Sequence, residues 1–180
     1  MSETMRQEIK LAGSGGQGII LASVILAEAA VLSGKEAAQS QSYGPEARGG
    51  SCKAEVIVSD RPIGFTKVRK PTFLMALTQD AFDKYYPGVT PECVVLADAD
   101  MEVPERVIKL PILDTARTVV GKIQTANIVA VGCINGLLGL TDVENLRQAV
   151  MMHVPAGTEK LNMQALEEGL RLVGKGQETA

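Results

Sequence analysis

Two glycine clusters hold most of the groups in this sequence that are suited to chemistry. The first is Gly13-Ser14-Gly15-Gly16-Gln17-Gly18, and the second is Tyr43-Gly44-Pro45-Glu46-Ala47-Arg48-Gly49-Gly50. The first has the spacing G-x-G-x-x-G between an apolar strand segment and a long apolar run, the pattern of a tight turn opening a helix. Free N–H groups at such a helix start favour an anion. Close packing of helix on sheet explains the same glycines without any ligand. In the second cluster Arg48 places a forked cation beside the Gly49-Gly50 pair, an arrangement suited to a carboxylate or a phosphate. Its purely local reading is an irregular turn with Glu46 and Arg48 paired at the surface. Gly13, Gly15, Gly16, Gly18, Tyr43, Gly44, Arg48, Gly49 and Gly50 are therefore the candidate binding residues.

A dinucleotide fold needs an acid at the end of its second strand to hold the ribose. Glu36 lies at a suitable sequence distance but opens the strand, and Ser40, Gln41 and Ser42 near its end carry no carboxylate. The sequence thus argues against NAD. Cys52, Cys93 and Cys133 form no C-x-x-C pair, so neither an iron–sulfur cluster nor structural zinc is expected here. Cys93 and Cys133 sit in apolar runs and read as core residues; Cys52 adjoins the second cluster without a histidine to activate it. The one histidine, His153, falls near a helix end and reads as structural. Asp80, Asp98 and Asp114 each follow a strand candidate, either as helix caps, the preferred reading, or as an acid-base or metal cluster. No catalytic residue and no metal ligand is assigned.

The elements that must position these groups alternate in type. Ile9 to Ala12 reads as a strand and Ile19 to Leu32 as a buried helix stopped by Gly34. A strand, expected to be buried, ends at the second cluster. Lys53–Ser59 alternates through Ala54, Val56 and Val58, and Ile63 with Phe65 suggests a short edge segment. Phe73–Leu77, Cys93–Ala97 and Arg106–Leu110 are further strands. Helices are expected after Thr78, from Asp114, over Asn127–Leu140, over 142–152 and over Glu159–Val173, with a loose tail to Ala180. Gly132, Gly136 and Gly139 would let the apolar helix approach the sheet closely. The fold class is α/β, one domain over residues 1–180 with a core of about 8–173. Its mostly parallel open sheet carries helices on both faces after a Rossmann-like start.

Composition narrows the function. Hydrophobic residues are 46% of the chain but aromatics only 3%, and there is no Trp, so base-stacking platforms are not expected. A formal charge of −3 argues against a nucleic-acid binder. No apolar run is long enough to span a bilayer and Met1–Lys10 is polar, so the expected place is the cytoplasm, away from membranes.

Both glycine clusters in this order, the helix containing Ala27-Glu28-Ala29-Ala30, the strand Val56-Ile57-Val58-Ser59-Asp60 and the Asn127 helix with Gly132 and Asn135 resemble one family over about residues 8–173. The sequence resembles the gamma subunit of 2-oxoacid:ferredoxin oxidoreductases, whose substrates include pyruvate, ketoisovalerate and 2-oxoglutarate. The resemblance implies an enzyme complex that decarboxylates a 2-oxoacid oxidatively, with coenzyme A as co-substrate, giving acyl-CoA, CO2 and reduced ferredoxin. It implies alpha and beta subunits as partners, with a ferredoxin-like delta subunit in some complexes. Thiamine diphosphate, magnesium and iron–sulfur clusters would sit in those chains, and the isolated gamma chain would be inactive. Its glycine clusters would then face a partner subunit or the phosphates of coenzyme A. The alternative is a stand-alone nucleotide- or phosphate-binding protein of Rossmann or flavodoxin type.

Overall fold

The computed structural model describes residues 4–42 and 51–178. Strand β1 (Arg6–Ser14) runs into the glycine turn and helix α1 (Ile19–Leu32), with the helix limits expected from its apolar run. β2 (Glu36–Gln41) and β3 (Ser51–Ser59) follow, then β4 (Phe73–Ala76), α2 (Gln79–Tyr85), β5 (Val94–Asp98) and β6 (Ile108–Leu110). A helical segment comes next, begun by α3 (Ile112–Asp114) and continued as a π-helical turn over Thr115–Val120. Helices α4 (Ala126–Leu138), α5 (Val143–His153) and α6 (Glu159–Glu178) complete the chain; α6 continues past the expected Val173 into the tail expected to be loose.

The six strands lie in the order β2-β3-β1-β4-β5-β6. β1, β4, β5 and β6 pair in parallel, while β3 runs antiparallel to both β1 and β2, so the sheet is mixed. β2 therefore does not neighbour β1, and β3 separates them. The sequence explains the exchange. β3 is buried from Ala54 to Ser59, as an inner strand requires, whereas β2 (Glu36-Ala37-Ala38-Gln39-Ser40-Gln41) is only half-buried, contrary to the expected buried strand. The expected Ile63–Phe65 segment is not a strand. Phe65 is exposed, with the Arg69 guanidinium 4.5 Å from its ring centre.

The sheet separates two apolar cores. Ile9, Leu11, Val56, Val58, Phe73, Met75 and Leu96 face α1, α4, α5 and α6. On the other face Leu74, Val95 and Ala97 pack under Phe82 of α2. α1 and α2, which follow the adjacent parallel strands β1 and β4, thus cover opposite faces. That change of side leaves a crevice between the carboxyl ends of β1 and β4.

The aspartates behave as terminators. Asp98 is buried at the end of β5; its carboxylate accepts from the N–H groups of Leu113 (2.8 Å) and Asp100 (3.2 Å), tying the α3 segment to the sheet. Thr78 caps α2, with Asp80 in its first turn, and Asp142 caps α5. Asp114 lies inside its helical segment, which begins at Ile112 rather than at Asp114, and pairs with Arg117. The small residues of α4 serve helix–helix contact rather than the expected helix–sheet approach. A β-carbon on Gly132 would lie 2.5 Å from the Leu166 carbonyl, and one on Gly169 only 2.1 Å from that of Val129.

Candidate functional site

The turn after β1 is held open by its own side chain. Gln17 folds back so that its Oε1 accepts from Ser14 N–H at 2.8 Å, while its own N–H donates to the Ser14 carbonyl at 3.3 Å. A β-carbon on Gly13 would come within 2.4 Å of that Oε1, so Gly13 makes room for the fold-back. Gly18 begins α1 at φ +70°, and a β-carbon there would lie 2.4 Å from Asn127 Nδ2. Asn127, buried at the start of α4, donates to the Gly18 carbonyl and accepts from Ile128 N–H, which locks the two helix starts together.

Gly15 and Gly16 differ from these two. A β-carbon on either would meet no atom within 4 Å. They stand between two depressions. One, of about 260 Å³, includes Gly16, Gly18, Lys122, Thr125, Asn127 and Asn162 in its lining. The other, of about 250 Å³, is lined by Gly15, Gly16, Gln17, Leu113, Ile123, Gln124 and Ala126. Neither α1 nor α4 has a side-chain cap or an acid in its first turn. The positive ends of both helix dipoles are thus uncompensated beside Lys122, and such an edge suits an electron-rich approaching group. Sequence reasoning did not assign Lys122, Gln124 or Asn127 to a site. The position of Asn127 at the head of an almost wholly apolar helix was the available signal.

Tyr43, Gly44, Arg48, Gly49 and Gly50 lie outside the described residues. The stems of their segment are placed, since Ser51, which opens β3, stands directly across from Ser14 and Cys52 across from Gly13. Glu36 opens β2 at the opposite end of the strand, opposite Ser59. The thiols lie apart, on β3, ahead of β5 and inside α4. Burial pushes all three up in pKa, Cys133 to about 12, which keeps them protonated and weakly nucleophilic. His153 joins α5 to α1, its Nε2 3.6 Å from a Glu28 carboxylate oxygen. Among the described residues no three His, Cys, Asp or Glu side chains converge as metal ligands would, and no helix is long and apolar enough to cross a membrane.

The family model for pyruvate ferredoxin/flavodoxin oxidoreductase matches residues 8–172, from β1 to α6. The chain belongs to the pyruvate ferredoxin/flavodoxin oxidoreductase family. Within that oxidoreductase family it is 46% identical to the 2-oxoglutarate synthase subunit KorC of Methanocaldococcus jannaschii, over 92% of each chain. It is 34% identical to the ketoisovalerate oxidoreductase subunit VorA of Methanothermobacter thermautotrophicus, where 89% of this chain matches 35% of a longer polypeptide. The crystal structure of the gamma subunit of a keto/oxoacid ferredoxin oxidoreductase from Geobacter sulfurreducens superposes with a TM-score of 0.84 at 42% identity. It covers 94% of this chain and 99% of that one. The chain is accordingly a gamma subunit, one part of a multisubunit 2-oxoacid:ferredoxin oxidoreductase.

Proposed function

We propose that the enzyme this subunit serves acts on 2-oxoglutarate, converting it with coenzyme A to an acyl-CoA and CO2 while reducing ferredoxin. The greater likeness to the 2-oxoglutarate synthase subunit than to the ketoisovalerate enzyme supports that choice. Alpha and beta subunits, with a ferredoxin-like delta subunit where present, carry the thiamine diphosphate, magnesium and iron–sulfur clusters. Among the described residues of this chain the three thiols are dispersed, and no three His, Cys, Asp or Glu side chains converge as ligands of an iron–sulfur cluster or a metal ion would. Its own contribution is a surface.

The observation that carries this reading is the open pair Gly15 and Gly16 at the carboxyl edge, between two depressions and beside two uncapped helix starts. A side chain or phosphate can reach the backbone there because no β-carbon intervenes. We assign this turn, together with the Tyr43–Gly50 segment and Arg48, to contact with a partner subunit in preference to direct binding of the coenzyme A phosphates. The chain takes its place in the cytoplasm with the rest of the complex.

Gly15→Asp tests the assignment, since the new side chain has room but brings bulk and negative charge to the edge. Co-expressed with its partner subunits, the variant chain should fold and fail to co-purify with them. Assembly at the normal level with a raised apparent KM for coenzyme A would move the assignment to the phosphates. Normal assembly and turnover in both Gly15→Asp and Arg48→Ala would reduce the edge to a local turn. Turnover of the intact complex on 2-oxoglutarate, pyruvate and ketoisovalerate decides the substrate.

A further inference from the structure

On the face of the sheet away from α1, the strand alternation that buries Ile9, Leu11 and Val56 turns Lys10, Lys53 and Glu55 the other way. Glu55 is only 7% exposed, and both lysines are largely covered, with side chains 17% and 23% exposed. One carboxylate oxygen of Glu55 stands 3.7 Å from Lys10 Nζ and 3.6 Å from Lys53 Nζ, beyond hydrogen-bond length for both. The other accepts from Val68 N–H at 3.2 Å. Neither ammonium donates a hydrogen bond to any described residue. Their remaining contact is the ring of Tyr85, 5.4 Å from Lys10 and 5.8 Å from Lys53, with Lys84 at 5.5 Å from the same ring while it donates to Ser51 Oγ.

Half-buried ammonium groups with unused donors are unfavourable unless something accepts from them. Beside Lys53 and Glu55 is a pocket of about 180 Å³, completed by Ser40, Gln41, Ser42, Lys67 and Val68. Lys53 and the exposed Lys67 line this pocket together with Glu55, and Lys10, outside the lining, shares the Glu55 carboxylate with Lys53, so three ammonium groups stand in this region with one carboxylate. The surplus of positive charge occurs in a chain whose formal charge is −3. Each ammonium offers three donors and each phosphate oxygen accepts at short range, so a dianionic phosphate group matches the surplus in charge and in hydrogen bonding. A single carboxylate from an acidic protein surface matches only half of the charge, and the covered lysines leave little room for a polypeptide.

We propose that Lys10, Lys53 and Lys67, with Tyr85 and Glu55 as their frame, form a binding site for a phosphate group on the α2 face of the sheet. The site is separate from the glycine turn and does not depend on the role assigned to it. The phosphate is either free inorganic phosphate or the end of a phosphomonoester. Isothermal titration of the full chain with inorganic phosphate, and separately with adenosine monophosphate, distinguishes the two at constant ionic strength set with chloride. Saturable one-to-one binding of phosphate, with the nucleotide no tighter, identifies the free ion; nucleotide binding at least tenfold tighter identifies the ester. Lys10→Gln and Lys53→Gln should each weaken binding about tenfold, and Glu55→Gln should tighten it, because a competing carboxylate is gone. Lys160→Gln, on the exposed side of α6, should change nothing. Should the strand variants fail to fold, the Tyr85 ring proton resonances of the unaltered chain report instead, and they should shift saturably with phosphate. The proposal fails if the folded chain binds neither anion saturably, or if Lys10→Gln and Lys53→Gln together leave binding unchanged. It fails equally if neither anion binds while Lys53→Gln weakens subunit association and makes it less salt-dependent, since the cluster then meets an acidic protein surface.

Discussion

At Gly18 the backbone turns through φ +70° and a β-carbon would sit 2.4 Å from Asn127 Nδ2, so Gly18→Ala combines left-handed strain with a clash. Together these should cost about 2–4 kcal/mol of stability, measured by urea unfolding. Gly15→Ala meets no neighbour and should remain within about 0.5 kcal/mol of the unaltered chain. A similar loss in both variants would show that the turn does not distinguish its glycines. Cys133 gives a pH test. Burial raises its thiol from the ordinary 9.0 to about 12, so the folded chain keeps a proton that the unfolded chain gives up. The stability from this thiol is complete below about pH 9 and declines as pH rises from there towards 12, at up to about 1.4 kcal/mol per pH unit. Cys133→Ala should remove that alkaline slope, and an unchanged slope would refute the assignment. The residue types at the glycine turn were legible in the sequence. That Gly18 packs while Gly15 and Gly16 stay open was not, because the Gly18 contact is with Asn127, over a hundred residues away in the chain.

The elements follow their local patterns closely where one face decides the matter. α1 has the limits of its apolar run, and α2 and α5 begin after the capping residues Thr78 and Asp142. The departures occur where the neighbour decides. β2 and β3 each have the pattern of a strand, but only their relative apolar content selects which becomes the edge. Gly132 was legible as a close-approach glycine, yet its partner is Gly169 of α6 rather than the sheet. Gly169→Ala should therefore lower stability by about 1–3 kcal/mol, with α4 and α6 losing amide-exchange protection together. Loss of protection in α6 alone would mean that the two helices do not form one unit. Asp98→Ala should cost about 1–3 kcal/mol by leaving the Leu113 N–H without its acceptor. Hydrogen exchange should then quicken first in residues 112–120.

For the molecule as a whole, the change of helix side between β1 and β4 places the glycine turn, the α4 start and the stems of the second glycine segment along the carboxyl edge. That edge presents open backbone, Lys122 and the apolar side chains of Leu113 and Ile123, a mixture suited to meeting another chain. The gamma subunit alone should accordingly show no decarboxylation of 2-oxoglutarate, and activity should appear only when the partner subunits are added. Turnover by the purified chain alone would overturn that expectation. By itself the sequence determined the α/β class, the limits of α1, the family and the glycine turn, because each of these is written in local spacing and residue type. Only the tertiary structure decided that β3 enters between β1 and β2, that Gly15 and Gly16 stay open, and that Lys10 and Lys53 share one carboxylate beside the pocket that Lys67 lines. Those outcomes depend on which strands become neighbours and on the register between them, a competition among distant segments that no short stretch of sequence records.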